Sequence, residues 1–219
     1  FAAIENHGYD WSSKESRSHH QACLDAYKGK PVYMSEGNGL WRPCWNADNP
    51  VKIMQSAWGC TMAGASFCWQ WVGKNCQDHT DPKKLFDTDA AEYIDILYDI
   101  MENEVFFEKL EPHNDFVSNA SSQTYCLANQ GNQYVVYAEN GGSFKLSVSA
   151  NRYNIVWVDL RTGNRQEEPA INVENEKFSF TAPSTETDWL LLVKKDGSTQ
   201  GKYDLKQRNK IVTITSEGL

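Results

Sequence analysis

The sequence predicts a chain of class α/β plus all-β, an α/β region up to about residue 112 followed by a small antiparallel sandwich. Three observations carry that expectation. Short apolar runs alternate with helical patterns before residue 112, and two-residue alternation with Asn and Gly turns takes over after it. With 219 residues and 40% hydrophobic content, the chain has enough apolar material for one large core or two modest ones. In the first part the order strand, helix, strand, helix, strand, helix favours a parallel sheet with crossover helices, open or closed into a barrel.

The elements follow in chain order. "FAAIENHGY" offers a short strand, and Ser12 with Glu15 three residues later makes a capping-box start to a helix running to about Lys28. Gly29 and Pro31 supply stop signals, and "PVYMS" is the next strand. Asn49-Pro50 opens a second helix, with Pro at the first helical position and Val51, Met54, Trp58 and Met62 toward one side. After Gly64, "ASFCWQW" reads as a third strand. The acidic "DTDAAE" then precedes a last helix, whose apolar residues Ala90, Ile94, Leu97 and Met101 recur at three- and four-residue spacing.

Beyond residue 112, "QTYCLAN", "QYVVYAE", "SFKLSV", "NIVWVDL", "KFSFTA" and "DWLLLV" are separated by "NQGN", "NGG" and "RTGN" turns, the pattern of an antiparallel sandwich over residues 113–196. Trp157 and Trp189, which fall within these strands, are expected in its core. Residues 197–219 form a polar tail, in which "IVTITS" alternates like one more edge strand.

Composition excludes several functions. The net charge is −8 with no basic run, so no footprint for nucleic acid exists. No apolar run approaches the roughly 20 residues of a bilayer span, so no membrane span is expected. The cysteines, Cys23, Cys44, Cys60, Cys68, Cys76 and Cys126, are scattered and read mostly as buried thiols. Cys76-x-x-His79 lacks a second pair at zinc-binding spacing, and His19 and His20 are neighbours on a helix, where adjacent residues point to different faces. Neither a metal nor a cofactor is expected. Asn119-Ala120-Ser121 has the form of a glycosylation sequon. The chain starts at Phe1, on residues that already read as strand, so either its start was removed or it is a fragment.

In open and closed parallel sheets alike, function gathers at the carboxyl ends of the strands. The first strand is followed there by His7, Tyr9 and Trp11, the second by Glu36, Asn38, Trp41 and Arg42, and the third by Trp69, Gln70 and Trp71. A carboxylate with Asn, His and several aromatic rings suits a sugar: flat faces for its C–H surfaces, donors for its hydroxyls, and an acid for chemistry at the anomeric carbon. Glu36 is the candidate catalytic residue; His7, Tyr9, Asn38, Trp41, Arg42, Trp69 and Trp71 are the candidate sugar contacts.

These residues carry a resemblance. "KPVYMSEGNG" resembles the seventh strand of the clan-A glycoside hydrolase barrels, "IENHGYDW" the sixth and "GASFCWQW" the eighth. Together with "VWVDLRTG" at 156–163 and the ending Pro183…Asp188-Trp189, the chain is similar to the apiosidase-like family, a (β/α)8 TIM-type barrel followed by a small sandwich of the "putative collagen-binding" type. The resemblance covers residues 1 to about 195. It implies about strands 6–8 of the barrel over residues 1–112, a retaining mechanism on complex, plant-type polysaccharide with Glu36 as nucleophile, and a secreted or periplasmic bacterial protein. It also implies that the acid/base carboxylate sits on an N-terminal half-barrel outside this chain, so that the fragment alone is inactive. Asp10 and Asp78 are local carboxylates that do not follow a strand in the family's pattern. The other reading open at this point is a non-catalytic carbohydrate-binding or structural barrel-sandwich protein. No sequence reason supports carrying over collagen binding.

Overall fold

The computed structural model describes residues 2–5, 15–27, 31–36, 50–68, 88–174 and 177–198. Strands β1 (Ala2–Glu5), β2 (Val32–Glu36) and β3 (Ala65–Phe67) form a parallel sheet in the order β1-β2-β3. Helix α1 (Glu15–Tyr27) lies between β1 and β2 in the chain, α2 (Pro50–Thr61) between β2 and β3, and α3 (Asp89–Asp99) after β3. Val32, Met34 and Ala65 share one core with Cys23 of α1 and with Met54 and Trp58 of α2. Thr88 starts α3 as an extended N-cap whose hydroxyl accepts the Ala91 N–H at 3.3 Å, with Asp89 and Glu92 at the positive end of the helix.

Two expectations for this part need correction. The third strand stops at Phe67 rather than running through the aromatics: Cys68 already stands outside it, and residues 69–71 lie outside the described residues. Met101 does not extend α3 as a regular turn. It falls in a π turn, Ile100–Glu104, closed by the Val105 N–H on the Ile100 carbonyl at 3.1 Å. The wider turn carries an extra residue, which changes the direction of the chain as it leaves the helix.

Among the described residues the second part holds nine strands: β4 (Glu111–Pro112), β5 (Val117–Ser118), β6 (Thr124–Asn129), β7 (Gln133–Ala138), β8 (Ser143–Ser147), β9 (Asn151–Asp159), β10 (Arg165–Val173), β11 (Lys177–Thr181) and β12 (Trp189–Lys195); the expected tail strand "IVTITS" lies outside them. They form a six-stranded antiparallel sheet, β10-β9-β12-β7-β6-β4, and a three-stranded one, β11-β8-β5. The six strands expected from alternation are β6, β7, β8, β9, β11 and β12. Three escaped that reading. β4 and β5 are two residues long, and β10 is an exposed edge strand, "RQEEPAINV", whose register shifts between Glu168 and Ile171, around Pro169. Proline removes a ladder donor and is tolerated at such an edge.

The six-stranded sheet is apolar on both faces. Tyr125, Leu127, Val135, Tyr137, Val158, Leu190 and Leu192 join the core of the helices. Their alternates Cys126, Val136, Ile155, Trp157, Trp189, Leu191 and Val193 form a second core with Phe144, Leu146 and Phe180 of the smaller sheet. Two-sided burial explains why "WLLLV" is a continuous apolar run instead of an alternating one. Trp157 and Trp189 are both buried, ring against ring edge-on at 6.4 Å, and the Trp157 indole N–H donates to Glu168 at 2.9 Å.

Rings stack across the junction of the two parts. His20 of α1 lies on Tyr125 at 3.8 Å, Tyr125 faces Tyr137 at 6.2 Å, and Tyr137 faces Trp58 of α2 at 6.0 Å. His20 Nδ1 lies 2.9 Å from the Gly59 carbonyl, in the last turn of α2, where helix carbonyls lack main-chain partners. Asn114 Nδ2 lies 2.8 Å from His20 Nε2, which fits an imidazole that donates at Nδ1 and accepts at Nε2. Around Gly141 (φ +68°), between β7 and β8, a Cβ would collide with the Ser184 carbonyl, so that loop requires glycine.

Because Tyr125, Leu127, Val135, Tyr137, Leu190 and Leu192 complete the helical core, residues 1–112 expressed alone are expected to show no cooperative thermal transition as a monomer; a sharp, reversible one refutes this reading of the core. A second expectation concerns pH. Burial pushes His19 and His20 down from the usual 6.5 to about 4, so between those values the unfolded chain takes up protons that the folded chain refuses. Stability is therefore full above pH 6.5 and falls as the pH drops toward 4, by about 2 kcal/mol for each histidine near pH 4.5. The carboxyl of Asp188, raised by burial, works in the opposite sense at the acid end. Urea unfolding of the chain and of His20→Gln at pH 7, 5.5 and 4.5 checks this, the variant being expected to show the shallower pH dependence.

Candidate functional site

All three strands of the parallel sheet end at one edge, at Glu5, Glu36 and Phe67. β1 and β2 pair as Ala2 with Val32, Ala3 with Tyr33 and Ile4 with Met34; the register then shifts, and Glu5 pairs with Glu36. One step on β1 thus matches two on β2, and Ser35 is left without a partner on β1. On the other side Val32, Tyr33 and Met34 pair with Ala65, Ser66 and Phe67, and the Cys68 N–H donates to the Met34 carbonyl at 3.0 Å.

Side chains sort by this register. Val32, Met34, Ala65 and Phe67 are buried under the helices, whereas Tyr33, 37% exposed, and Ser66 occupy the opposite face. Uniform alternation would put position 36 in the Val32 and Met34 series. The register shift interrupts that one-to-one pairing between Met34 and Glu36. The Tyr33 phenol is held above its usual range, chiefly by a hydrogen bond with the Cys68 thiol. Tyr98 of α3 reaches the same sheet edge, its hydroxyl donating to the Phe67 carbonyl at 3.3 Å. An apolar groove of about 200 Å³ runs beside β3, lined by Ala57, Thr61, Phe67, Ile94, Leu97 and Met101. Helices α2 and α3 supply Ala57, Thr61, Ile94 and Leu97 of this lining, and Phe67 with Tyr98 carries the groove to the carboxyl end of β3.

Of the residues that the sequence nominates, Glu36 is placed by its backbone as the last residue of β2. His7, Tyr9, Asn38, Trp41, Arg42, Trp69 and Trp71 lie outside the described residues, as do Trp11, Gln70, Asp10, Asp78 and the Cys76/His79 pair. Sequence reasoning passed over Glu5, the in-register partner of Glu36, although "AAIE" ends a strand on an acid just as "VYMSE" does. It also passed over Tyr33 and Cys68, whose proximity arises only through pairing. Among the described residues no group of three His, Cys, Asp or Glu side chains could hold a metal ion. No described helix is long and apolar enough to cross a membrane.

The two distinctive sequence patterns of the second part turn out to be joints. Asp188 is fully buried; its carboxylate accepts the Asn140 N–H at 2.7 Å, both oxygens lie 3.3 Å from Gln55 Nε2 of α2, and the Tyr137 hydroxyl is at 3.4 Å. In "VWVDLRTG", Asp159 holds the turn after β9: its side chain accepts the Arg161 N–H at 2.8 Å and its carbonyl the Gly163 N–H at 2.8 Å. Gly163 packs against Ile96 of α3. Both patterns therefore fasten the antiparallel sheet to the helices.

Comparisons with known proteins fit this arrangement. Residues 112–194 match the family described as "Putative collagen-binding domain of a collagenase". A sequence comparison with curated proteins finds no match. A solved structure titled "Glycoside hydrolase" is 13% identical and covers 90% of this chain and 52% of its own, with a TM-score of 0.63. A glycoside hydrolase family 5 structure from Bacteroides vulgatus ATCC 8482 is 15% identical and covers 85% of this chain and 47% of its own, with a TM-score of 0.62. The chain thus shares the fold of glycoside hydrolases while spanning about half the length of these structures.

Proposed function

We propose that the chain is the carboxyl-terminal part of a retaining glycoside hydrolase acting on plant-type or other complex polysaccharides, with Glu36 as its nucleophile. The observation that supports this most directly is that Glu36 ends β2 at the carboxyl edge of the parallel sheet, opposite Glu5 and just after a register shift. A regular strand would direct its final residue into the helical core, where a carboxylate has no use. With the shift, Glu36 would share the face of Tyr33 and Ser66, which in a (β/α)8 barrel is the interior. The rest of the barrel, with the acid/base carboxylate about 5–5.5 Å from Glu36, would come from sequence beyond this chain. The loops after the three strands would supply His7, Tyr9, Asn38, Trp41, Arg42, Trp69 and Trp71 to the sugar. By the same family likeness the enzyme would be bacterial and secreted or periplasmic.

The chemistry follows from that placement. The Glu36 carboxylate attacks the anomeric carbon as the leaving oxygen takes a proton from the acid/base residue, giving a glycosyl ester with inverted configuration. Water, deprotonated by the same residue, then attacks that carbon and releases Glu36, so that the two inversions restore the original configuration. In an enzyme that joins this chain to a complete barrel, Glu36→Gln keeps size and hydrogen bonding but removes the attacking charge. Turnover should fall by about a thousandfold or more, with substrate binding and thermal stability little changed. Glu36→Gly should regain part of the activity with added azide and release a glycosyl azide of inverted configuration. Near-parental turnover in Glu36→Gln overturns the assignment, and saturable oligosaccharide binding without any turnover in the parent favours the carbohydrate-binding reading.

For residues 113–196 we propose a role in packing, covering the helices. Both tryptophans that would serve as ligand platforms are buried, and one face of the large sheet is used up by α1, α2 and α3. The chain is expected to bind neither triple-helical collagen peptides nor common polysaccharides through this part at millimolar concentration or below. Calorimetric titration checks it; saturable binding that disappears in a folded Trp157→Ala or Trp189→Ala variant overturns it.

A further inference from the structure

We propose that the chain's own tail, residues 211–216, pairs antiparallel with the outer edge of β10 and adds a seventh strand to the large sheet. β10 stands at the margin of that sheet: β9 covers one side, and among the described residues no strand covers the other. An unpaired edge presents a row of N–H and C=O groups, a template for a further strand. β10 is the longest such edge, with nine residues; β11, the five-residue edge of the smaller sheet, begins on Lys177, and β4 and β5 have two residues each. Pro169 and the register shift interrupt the middle of β10, and Ile171, Asn172 and Val173 then follow in unbroken register with β9. Ile171 and Val173 belong to the second core, at whose margin Ile171 and Phe178 of β11 are only half-buried.

The tail carries what that edge requires. In "IVTITS", Val212 and Ile214 fall on one face of an extended strand and Thr213 and Thr215 on the other, so one face can continue the apolar side of Ile171 and Val173. Residues 199–219 hold Lys202, Lys206, Arg208 and Lys210 against Asp204 and Glu217, a cationic stretch in a chain of net charge −8. β10 and the residue after it offer the exposed acids Glu167, Glu168 and Glu174, while the one cation of the strand, Arg165, is bound to Glu104 and Asp99. The path fits as well. The Asp196 N–H donates to the Arg152 carbonyl at 2.8 Å, and Arg152 is the register partner of Asn172, so the chain leaves the sheet level with the carboxyl end of β10 and with β9 between. At about 4.8 Å between strands, the outer side of β10 lies about 14 Å away, well within the roughly 40 Å that residues 199–210 can span. A strand that enters at that end runs back toward Arg165, antiparallel to β10. Over so short a tether the effective concentration is on the order of millimolar, which favours the chain's own tail over that of a second copy at micromolar protein. None of this depends on the catalytic role of Glu36.

Hydrogen exchange read by mass spectrometry tests the pairing on the full chain and on two full-chain variants. The first combines Val212→Pro with Thr213→Pro: neighbouring N–H groups point to opposite sides of a strand, so the pair removes whichever donor faces β10. The second, Ile214→Asp, puts a charge on the apolar face. Both changes lie outside the cores, so the near-ultraviolet circular dichroism of the variants should match that of the parent. Peptides covering residues 170–174 should exchange about tenfold more slowly in the parent than in either variant, and peptides of β6 and β7 should not change. The tail peptide over residues 211–216 should gain protection in the parent alone. Equal exchange over β10 in the parent and both variants overturns the proposal. So does protection that falls on β11 instead of β10, or that grows with protein concentration while sedimentation shows a dimer, because the occupant is then a second copy.

Discussion

A sheet that is buried on both faces is the constraint from which the rest of the molecule follows. Tyr137 shows what that requires. It sits in β7 with no exposed surface, stacks between Tyr125 and Trp58, and directs its hydroxyl to the buried carboxylate of Asp188. Its neighbours Val136 and Ala138 belong to the other core. Strand residues point alternately to opposite sides, so each of the long strands must satisfy two packing environments at once. Neither the helices nor the smaller sheet could move against this layer without opening a core.

The polar groups at the junction sharpen that arrangement. Asp188 is a carboxylate with no water to solvate it; burial alone pushes its proton affinity up, and Asn140, Gln55 and Tyr137 act against that by donating to it. Gln55 is on α2, so the same bonds that make the buried charge tolerable also orient the helix. His20 does the equivalent on α1, answering the orphan carbonyl of Gly59 while stacking on the sheet. Arg165 and Lys194 hold Glu104 of the π turn at the sheet's outer margin. Being partly exposed, these pairs add less than the buried bonds.

Rigidity at the junction bears on the proposed chemistry. α1 and α2 are clamped from outside by the antiparallel sheet, and they in turn cover Val32, Met34, Ala65 and Phe67. A short strand such as β2 has little stability of its own, so its carboxyl end can be a fixed mount for a reacting group only if the layer behind it is fixed. The distinctive residues of the second part, Asp159 and Asp188, serve turns and joints instead of a ligand platform.

Much of the fold was legible in the residues, for a physical reason: local rules act over a few positions. Asn49-Pro50 opens α2, the four- and three-residue spacing of Ala90, Ile94 and Leu97 marks α3, and the alternation of "SFKLS" marks β8, all without knowledge of distant parts. The candidate site was legible only as strand ends with acids and aromatics, among them Glu36. What long-range pairing creates was not: the edge strand β10 gains its order from β9, and the stacking of His20 on Tyr125 and the bonds of Gln55 to Asp188 join residues far apart in the chain. The register of position 36 is the clearest case. One-to-one pairing would set Glu5 opposite Ser35, and only the two strands together set it opposite Glu36, because register is a property of two strands and no single one can contain it.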